Sequence, residues 1–219
     1  MVLVCLWAGA IALALGAFIA VTHEVIIERD PATVDRAVLE WLSHGRAPGL
    51  TRVMVDLTAL GSGALVVLFT ALTFVFLLVL GDLKGSFHLF VASAGAWLWT
   101  FVTKDLFERS RPTEVEHLVD ASGFSYPSGH SLAAAALYLT MAIIAGSHLK
   151  QAASKATLVA GAAFMVATGS VSRVYLGVHY PSDVVGGVAL GTAWALILAA
   201  AISAIEQPVG RAIRGRIDR

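Results

Sequence analysis

Six stretches of the chain carry no Asp, Glu, Lys or Arg: Val2–Val21, Leu57–Leu80, Phe87–Thr103, Ser131–Ser147, Ala156–Ser172 and Val184–Ile205. Each is near the ~20 residues that a helix needs to cross the hydrocarbon layer. Strands of a membrane barrel would alternate in polarity, and these runs do not, so the pattern predicts helices. The third, fourth and fifth runs are short and end beside Lys104, His130 and Arg173. Those helices should extend past the apolar run and carry polar residues at the membrane edge. The first run lacks a basic n-region and is longer than a secretory h-region, so it reads as an uncleaved span.

Between the first two spans lies a water-soluble pattern, His23–Arg52. Asp30 and Pro31 read as N-cap and first helical residue, and Gly45 suits the C-terminal cap. Val34, Ala37, Val38, Trp41 and Leu42 recur at helical spacing, with Asp35, Arg36 and Glu40 on the other face. The segment 30–45 is therefore a short amphipathic helix. It either lies on the membrane surface or packs as a connector on the helix ends. The expected fold is all-α: a single domain, 1–219, of six transmembrane helices plus this surface helix.

Composition agrees. Of 219 residues, 58% are hydrophobic and 14% charged, where soluble domains run to roughly 45–50% and 25%. A chain this short cannot bury so much apolar surface in a water-soluble fold, which excludes a soluble enzyme, a disordered chain and a disulfide-stapled secreted domain. Fifteen Lys+Arg balance fifteen Asp+Glu, so nothing points to nucleic acid as a partner. Cys5 is the only cysteine; it has no disulfide partner and reads as a small buried hydrophobe.

Six spans put both termini on one side. Seven basic residues fall there (Lys84, Lys150, Lys155, Arg211, Arg214, Arg216 and Arg219) and eight on the other (Arg29, Arg36, Arg46, Arg52, Lys104, Arg109, Arg111 and Arg173). Setting aside Lys104, Arg111 and Arg173, which have chemical uses, leaves five on that second side. The positive-inside rule then places the termini and the tail 206–219 in the cytoplasm of a plasma membrane.

Polar residues at span ends need a reason. They form three clusters on the predicted extracytoplasmic side. Lys104 and Arg111 are seven apart, about two helical turns, so they share one face before Pro112 stops the helix. Such a pair can grip a phosphate or simply snorkel. Tyr126-Pro-Ser-Gly-His130 opens the fourth span. Gly129 leaves helix-start N–H groups open to an anion, the Ser128 hydroxyl adds a donor, and His130 stands ready to give a proton; the alternative is an ordinary N-cap. In the third cluster Arg173 offers a bidentate grip and Asp183 can reach back to His179, fixing its tautomer. The alternative there is an interface pair closing a turn. Glu114, Glu116, His117 and Asp120, between the first two clusters, read as solvated loop residues that could shape the entrance.

Together the clusters read Lys-x6-Arg-Pro, Pro-Ser-Gly-His and Ser-Arg-x5-His-x3-Asp over residues 104–183. This resembles the three-part signature of the type 2 phosphatidic acid phosphatase superfamily, without a departure. The resemblance implies that His179 attacks phosphorus, Asp183 orients it, and His130 protonates the leaving oxygen and then activates water. Lys104, Arg111, Ser128, Gly129 and Arg173 would hold the phosphate oxygens, with no cofactor and no metal. The implied protein is a membrane lipid phosphatase acting on phosphatidic acid, phosphatidylglycerophosphate or undecaprenyl diphosphate. A lipid phosphotransferase with the same intermediate is the alternative, and a proton-coupled transporter is the distant one. The expected partners are a lipid phosphate and the bilayer.

Overall fold

The computed structural model describes residues 2–27 and 33–217, with side chains over 7–26 and 33–204. The readings at Cys5, at Arg29, at Asp30–Pro31 and in the basic tail side chains lie outside the described residues. Among the described residues there are eight α-helices and no strand: α1 Val2–Ile27, α2 Thr33–His44, α3 Pro48–Thr58, α4 Gly63–Val79, α5 Leu83–Phe107, α6 Gly129–Ser147, α7 Ala152–Tyr175 and α8 Pro181–Ile217. Five of these helices are long and apolar enough to cross a membrane: α1, α5, α6, α7 and the Pro181–Ala204 part of α8.

The sixth candidate is a bent pair of helices. Pro48–Gly61 and Gly63–Val79 meet at a bend of 49°. Ala59–Gly61 tightens into a 3₁₀ turn, and the Ser62 hydroxyl accepts from the Leu65 N–H to start α4 afresh. The break lies against the start of α6: a Cβ on Gly61 would sit 2.7 Å from the His130 carbonyl oxygen. The uncharged run begins only at Leu57, yet the helical path starts at Pro48. As expected, α5, α6 and α7 run beyond their uncharged cores. Helix α8 also continues through Ile217, so the segment expected as a tail is helical.

The buried centre is α6, packed against α5, α7 and α8, with α1 on α8. Its Ala133–Leu137 run is fully packed. Small residues let these helices close together in a medium that supplies no hydrophobic drive between them. A Cβ on Gly187 of α8 would lie 2.5 Å from the Ser128 carbonyl oxygen.

Helix α2 forms, but it is turned from the expected orientation: Arg36 and Glu40 stay outside, while one member of the polar face goes in. Val34 (68% exposed) and Trp41 (73%) point outward, whereas Asp35 (3%) and Leu39 point into the protein. Leu39 packs with Val174, Tyr180 and Val184. The polar-face reading of Asp35 is thus corrected. The outside of this molecule is largely hydrocarbon, so apolar residues have no need to turn inward, and a carboxylate with partners inside turns that way instead.

Candidate active site

Four helix ends meet at one end of the bundle. Lys104 sits in the last turn of α5 and Arg173 in that of α7; Gly129 and His130 open α6, and Asp183 lies in the first turn of α8. Helix ends expose unpaired N–H and C=O groups, so this is where a membrane protein can gather polar chemistry without orphaning backbone in lipid. Lys104, Arg111, Gly129, His130, Arg173 and His179 share the wall of one cavity of about 300 Å³. Glycine at 129 lets α6 start close to α5, because a Cβ there would meet Thr100 Cγ2 at 2.8 Å.

His179 is buried and held at both ring nitrogens. Nδ1 lies 3.3 Å from Asp183 Oδ2, and Nε2 lies 3.2 Å from Arg111 Nη1. Arg111 can only donate, so Nε2 is the acceptor and Nδ1 carries the proton toward Asp183. The Nε2 lone pair therefore faces the cavity wall that holds the cations. Burial pushes His179 down to about 4, against the opposing pull of Asp183, and Arg111 and Arg173 add to the drop. A neutral imidazole with its lone pair on Nε2 is what a nucleophile requires, and it becomes available when Arg111 exchanges this bond for an anion's oxygen.

Asp183 is fully buried and saturated with donors. Its Oδ2 accepts from the Tyr180 N–H at 2.9 Å and from the Ser125 hydroxyl, and its Oδ1 pairs with Arg109 at 2.5 Å. The Ser128 N–H donates to the Asp183 backbone carbonyl at 2.9 Å, tying α6 to α8. Burial works against charge on Arg109, but Asp183 and Asp35 hold its guanidinium above the ordinary value.

The three cavity cations are anchored by neutral oxygens. Arg111 donates to the carbonyls of Gly123, Val178 and Ser122 at 2.8–3.0 Å. Lys104 Nζ donates to the Phe124 carbonyl, and Arg173 donates to the Thr58 hydroxyl at 3.0 Å. Arg173 Nε is buried with no partner among the described residues. Among those residues, Asp120 is the one carboxylate on the cavity wall. Three positive charges held by carbonyls and a hydroxyl leave an excess of charge that a multivalent anion would neutralise.

Two expectations from the sequence change. Lys104 and Arg111 do not share a helix face, because α5 ends at Phe107 and Glu108 turns left-handed at φ 48°. The loop then folds back and returns Arg111 to the same cavity. The Ser128 hydroxyl is not in the cavity wall; it is buried and accepts from Ser131 Oγ at 3.1 Å. The close α6–α8 crossing holds it there. Conversely, Arg109, Ser125 and Asp35 do not stand out as site residues in the sequence. Arg109 sits two residues from Arg111, which is the available signal. Glu114 is more than a solvated loop residue, since it accepts from the Tyr180 hydroxyl at 3.1 Å. Burial alone would raise Glu114, but neighbouring N–H groups, Tyr180 and Arg36 hold it below the usual carboxylate value.

A family model described as PAP2 superfamily matches residues 84–206. The chain belongs to the PAP2 superfamily. Phosphatidylglycerophosphatase B of Bacillus subtilis is 35% identical over 164 residues, covering 73% of this chain and 78% of that protein. Decaprenylphosphoryl-5-phosphoribose phosphatase of Mycobacterium tuberculosis is 34% identical over 126 residues, and the match spans 60% of that relative's length. The crystal structure of a transmembrane PAP2-type phosphatidylglycerolphosphate phosphatase from Bacillus subtilis superposes with a TM-score of 0.83 at 26% identity, over 90% of this chain and 98% of that one. Aquifex aeolicus LpxE gives 0.58 at 25% identity, over 76% and 94%. This PAP2 chain is a multi-pass membrane protein.

Proposed function

We propose that this PAP2 protein is a lipid phosphatase that hydrolyses a terminal phosphate through a phosphohistidine formed on His179. The observation that carries this reading is the His179 Nε2 lone pair facing a cavity walled by Lys104, Arg111, Arg173 and His130. Attack by Nε2 forms the N–P bond as the bond from phosphorus to the lipid oxygen breaks. His130 gives that oxygen a proton. A water then attacks phosphorus and yields its proton to His130, the N–P bond breaks, and inorganic phosphate leaves with His179 restored. The cations hold the nonbridging oxygens throughout, where phosphoryl transfer gains most. This assigns turnover to fixed cations rather than to a metal.

The cavity shares Trp97 with an apolar groove between α4 and α5 that includes Val66, Phe74 and Phe90. A headgroup in the cavity would leave its chains along that groove. This supports a lipid substrate. Among lipids, the Bacillus relative matches more of both chains than the mycobacterial one, which puts phosphatidylglycerophosphate first, ahead of phosphatidic acid and undecaprenyl diphosphate. The site would face the extracytoplasmic side, as the basic-residue count predicts. The test is free phosphate released by purified protein from these three lipids in detergent micelles. Wild-type turnover with His179→Ala inactive is expected. Normal release by His179→Ala, or transfer of phosphate to another lipid in place of release, would overturn the assignment.

A further inference from the structure

The Arg109 guanidinium stands between two buried carboxylates. Nη1 bonds Asp183 Oδ1 at 2.5 Å and Ser182 Oγ at 2.8 Å, and Nη2 bonds Asp35 Oδ2 at 2.9 Å. Asp35 Oδ1 also accepts from the Ser182 N–H at 2.9 Å, and Oδ2 accepts from the Ser182 hydroxyl. Asp35 therefore grips Asp183 by two routes: through Arg109, and through the first turn of α8, to which Asp183 belongs. It lies on α2, 147 positions before Ser182 in the chain, and is not part of the cavity wall.

We propose that Asp35 is a positioning residue for the His179–Asp183 pair, acting through Arg109. The inference rests on the His179 reading above. Its physical basis is charge as well as geometry. With Arg109 alone beside it, the Asp183 carboxylate would be neutralised and would offer little to an imidazole turning cationic. Asp35 takes up the guanidinium charge, so the buried trio keeps one negative charge in excess. That excess is costly at rest. It is compensated when His179, still protonated at Nδ1, becomes positive on taking up the phosphoryl group. Asp35 would thus favour the transition state over the bound substrate, which is the requirement for raising kcat.

The experiment compares the full-length wild type with Asp35→Asn and Ser182→Ala in detergent micelles. It reads kcat and KM for phosphatidylglycerophosphate, inhibition by inorganic phosphate and by vanadate, and melting temperature. Asp35→Asn removes the charge at constant size; Ser182→Ala keeps both charges and removes a shared hydroxyl, so it reads the same link if Asp35→Asn does not fold. Loss of an outer-shell partner typically costs about 10–100-fold. The expected result is a kcat at least about tenfold lower for Asp35→Asn and severalfold lower for Ser182→Ala. Vanadate binding should weaken in proportion, while KM and phosphate inhibition stay within about twofold, because Lys104, Arg111 and Arg173 hold the ground-state anion. A folded Asp35→Asn with wild-type kcat overturns the inference. So does a loss in which phosphate and vanadate weaken together and the melting temperature falls, since that marks general loosening. Absence of phosphate release by the wild type, or full activity of His179→Ala, is a different failure: it removes the underlying assignment and this inference with it.

Discussion

Replacing Asp183 by Asn tests the core of the site most directly. The side chain keeps its size, but one acceptor arm becomes a donor. Four groups deliver hydrogens to the carboxylate: Ser125 Oγ, the Tyr180 N–H and His179 Nδ1 at Oδ2, and Arg109 at Oδ1. If the amide NH₂ takes the Oδ1 place, it faces the Arg109 guanidinium donor to donor. If it takes the Oδ2 place, it faces three donors, and His179 must turn its proton to Nε2, where Arg111 already donates. Both orientations set an amide donor against a buried donor and leave Arg109 with Asp35 as its carboxylate partner; a buried polar group left unsatisfied typically costs about 1–3 kcal/mol. The wrong tautomer removes the nucleophilic lone pair, and the equivalent Asp→Asn change in the Ser-His-Asp triad of serine proteases lowers kcat by about 10⁴. A fall of about 10³–10⁴ corresponds to roughly 4–5.5 kcal/mol of barrier. The assay is phosphate release alongside a melting curve, with Ser125→Ala as the milder partner, losing one donor but no charge. A folded Asp183→Asn enzyme within about tenfold of wild type would refute the tautomer argument.

Other outcomes follow from the same geometry. Because burial pushes His179 down to about 4, the acid limb of kcat/KM should lie below the ordinary histidine range and toward that value; a limb near 6.5 or above would contradict it. The unfolded chain takes up the proton near 6.5 and the folded one only near 4, so this group leaves stability unchanged above 6.5 and lowers it as the pH falls through that window, measurable by melting temperature. Turnover should survive exhaustive chelation with EDTA, and a loss restored only by added Mg²⁺ would displace the cation-only scheme. Gly187→Val would drive a side chain into the Ser128 carbonyl and part α8 from α6. Overpacking of this kind costs about 1–3 kcal/mol, seen as a lower melting temperature, and carries the Ser128–Asp183 link with it.

The chain shows its spans plainly because hydrocarbon tolerates so few charges: length without charge is a direct physical signal. It shows the break in the second span poorly, since Gly61-Ser62-Gly63 sits inside an uncharged run and the bend is held by tertiary contacts, among them Gly61 against His130 and the Tyr138 hydroxyl on the Leu60 carbonyl. Motif residues are legible for a related reason. Lys104, Arg111, His130, Arg173, His179 and Asp183 stand out at span ends, where polar groups are expensive. Their meeting needs the loop that reverses at Glu108, which no helical spacing predicts.

Asp35 is hidden by a rule that fails in lipid. Amphipathic pattern reading assumes water outside and sends charges there. Where the outside is apolar, the sign of that preference reverses for a charge with partners inside, and α2 turns Asp35 inward while leaving Val34 and Trp41 exposed. The same reversal bears on mechanism. A carboxylate that cannot escape to water must be held by Arg109 and Ser182, and being held it constrains them in turn. Helix α2, which a water-based reading makes a surface ornament or a spacer, is thereby joined to the carboxylate that bonds His179. In this membrane fold a short helix beside the bundle is tied to the candidate site for the reason that made its pattern misleading.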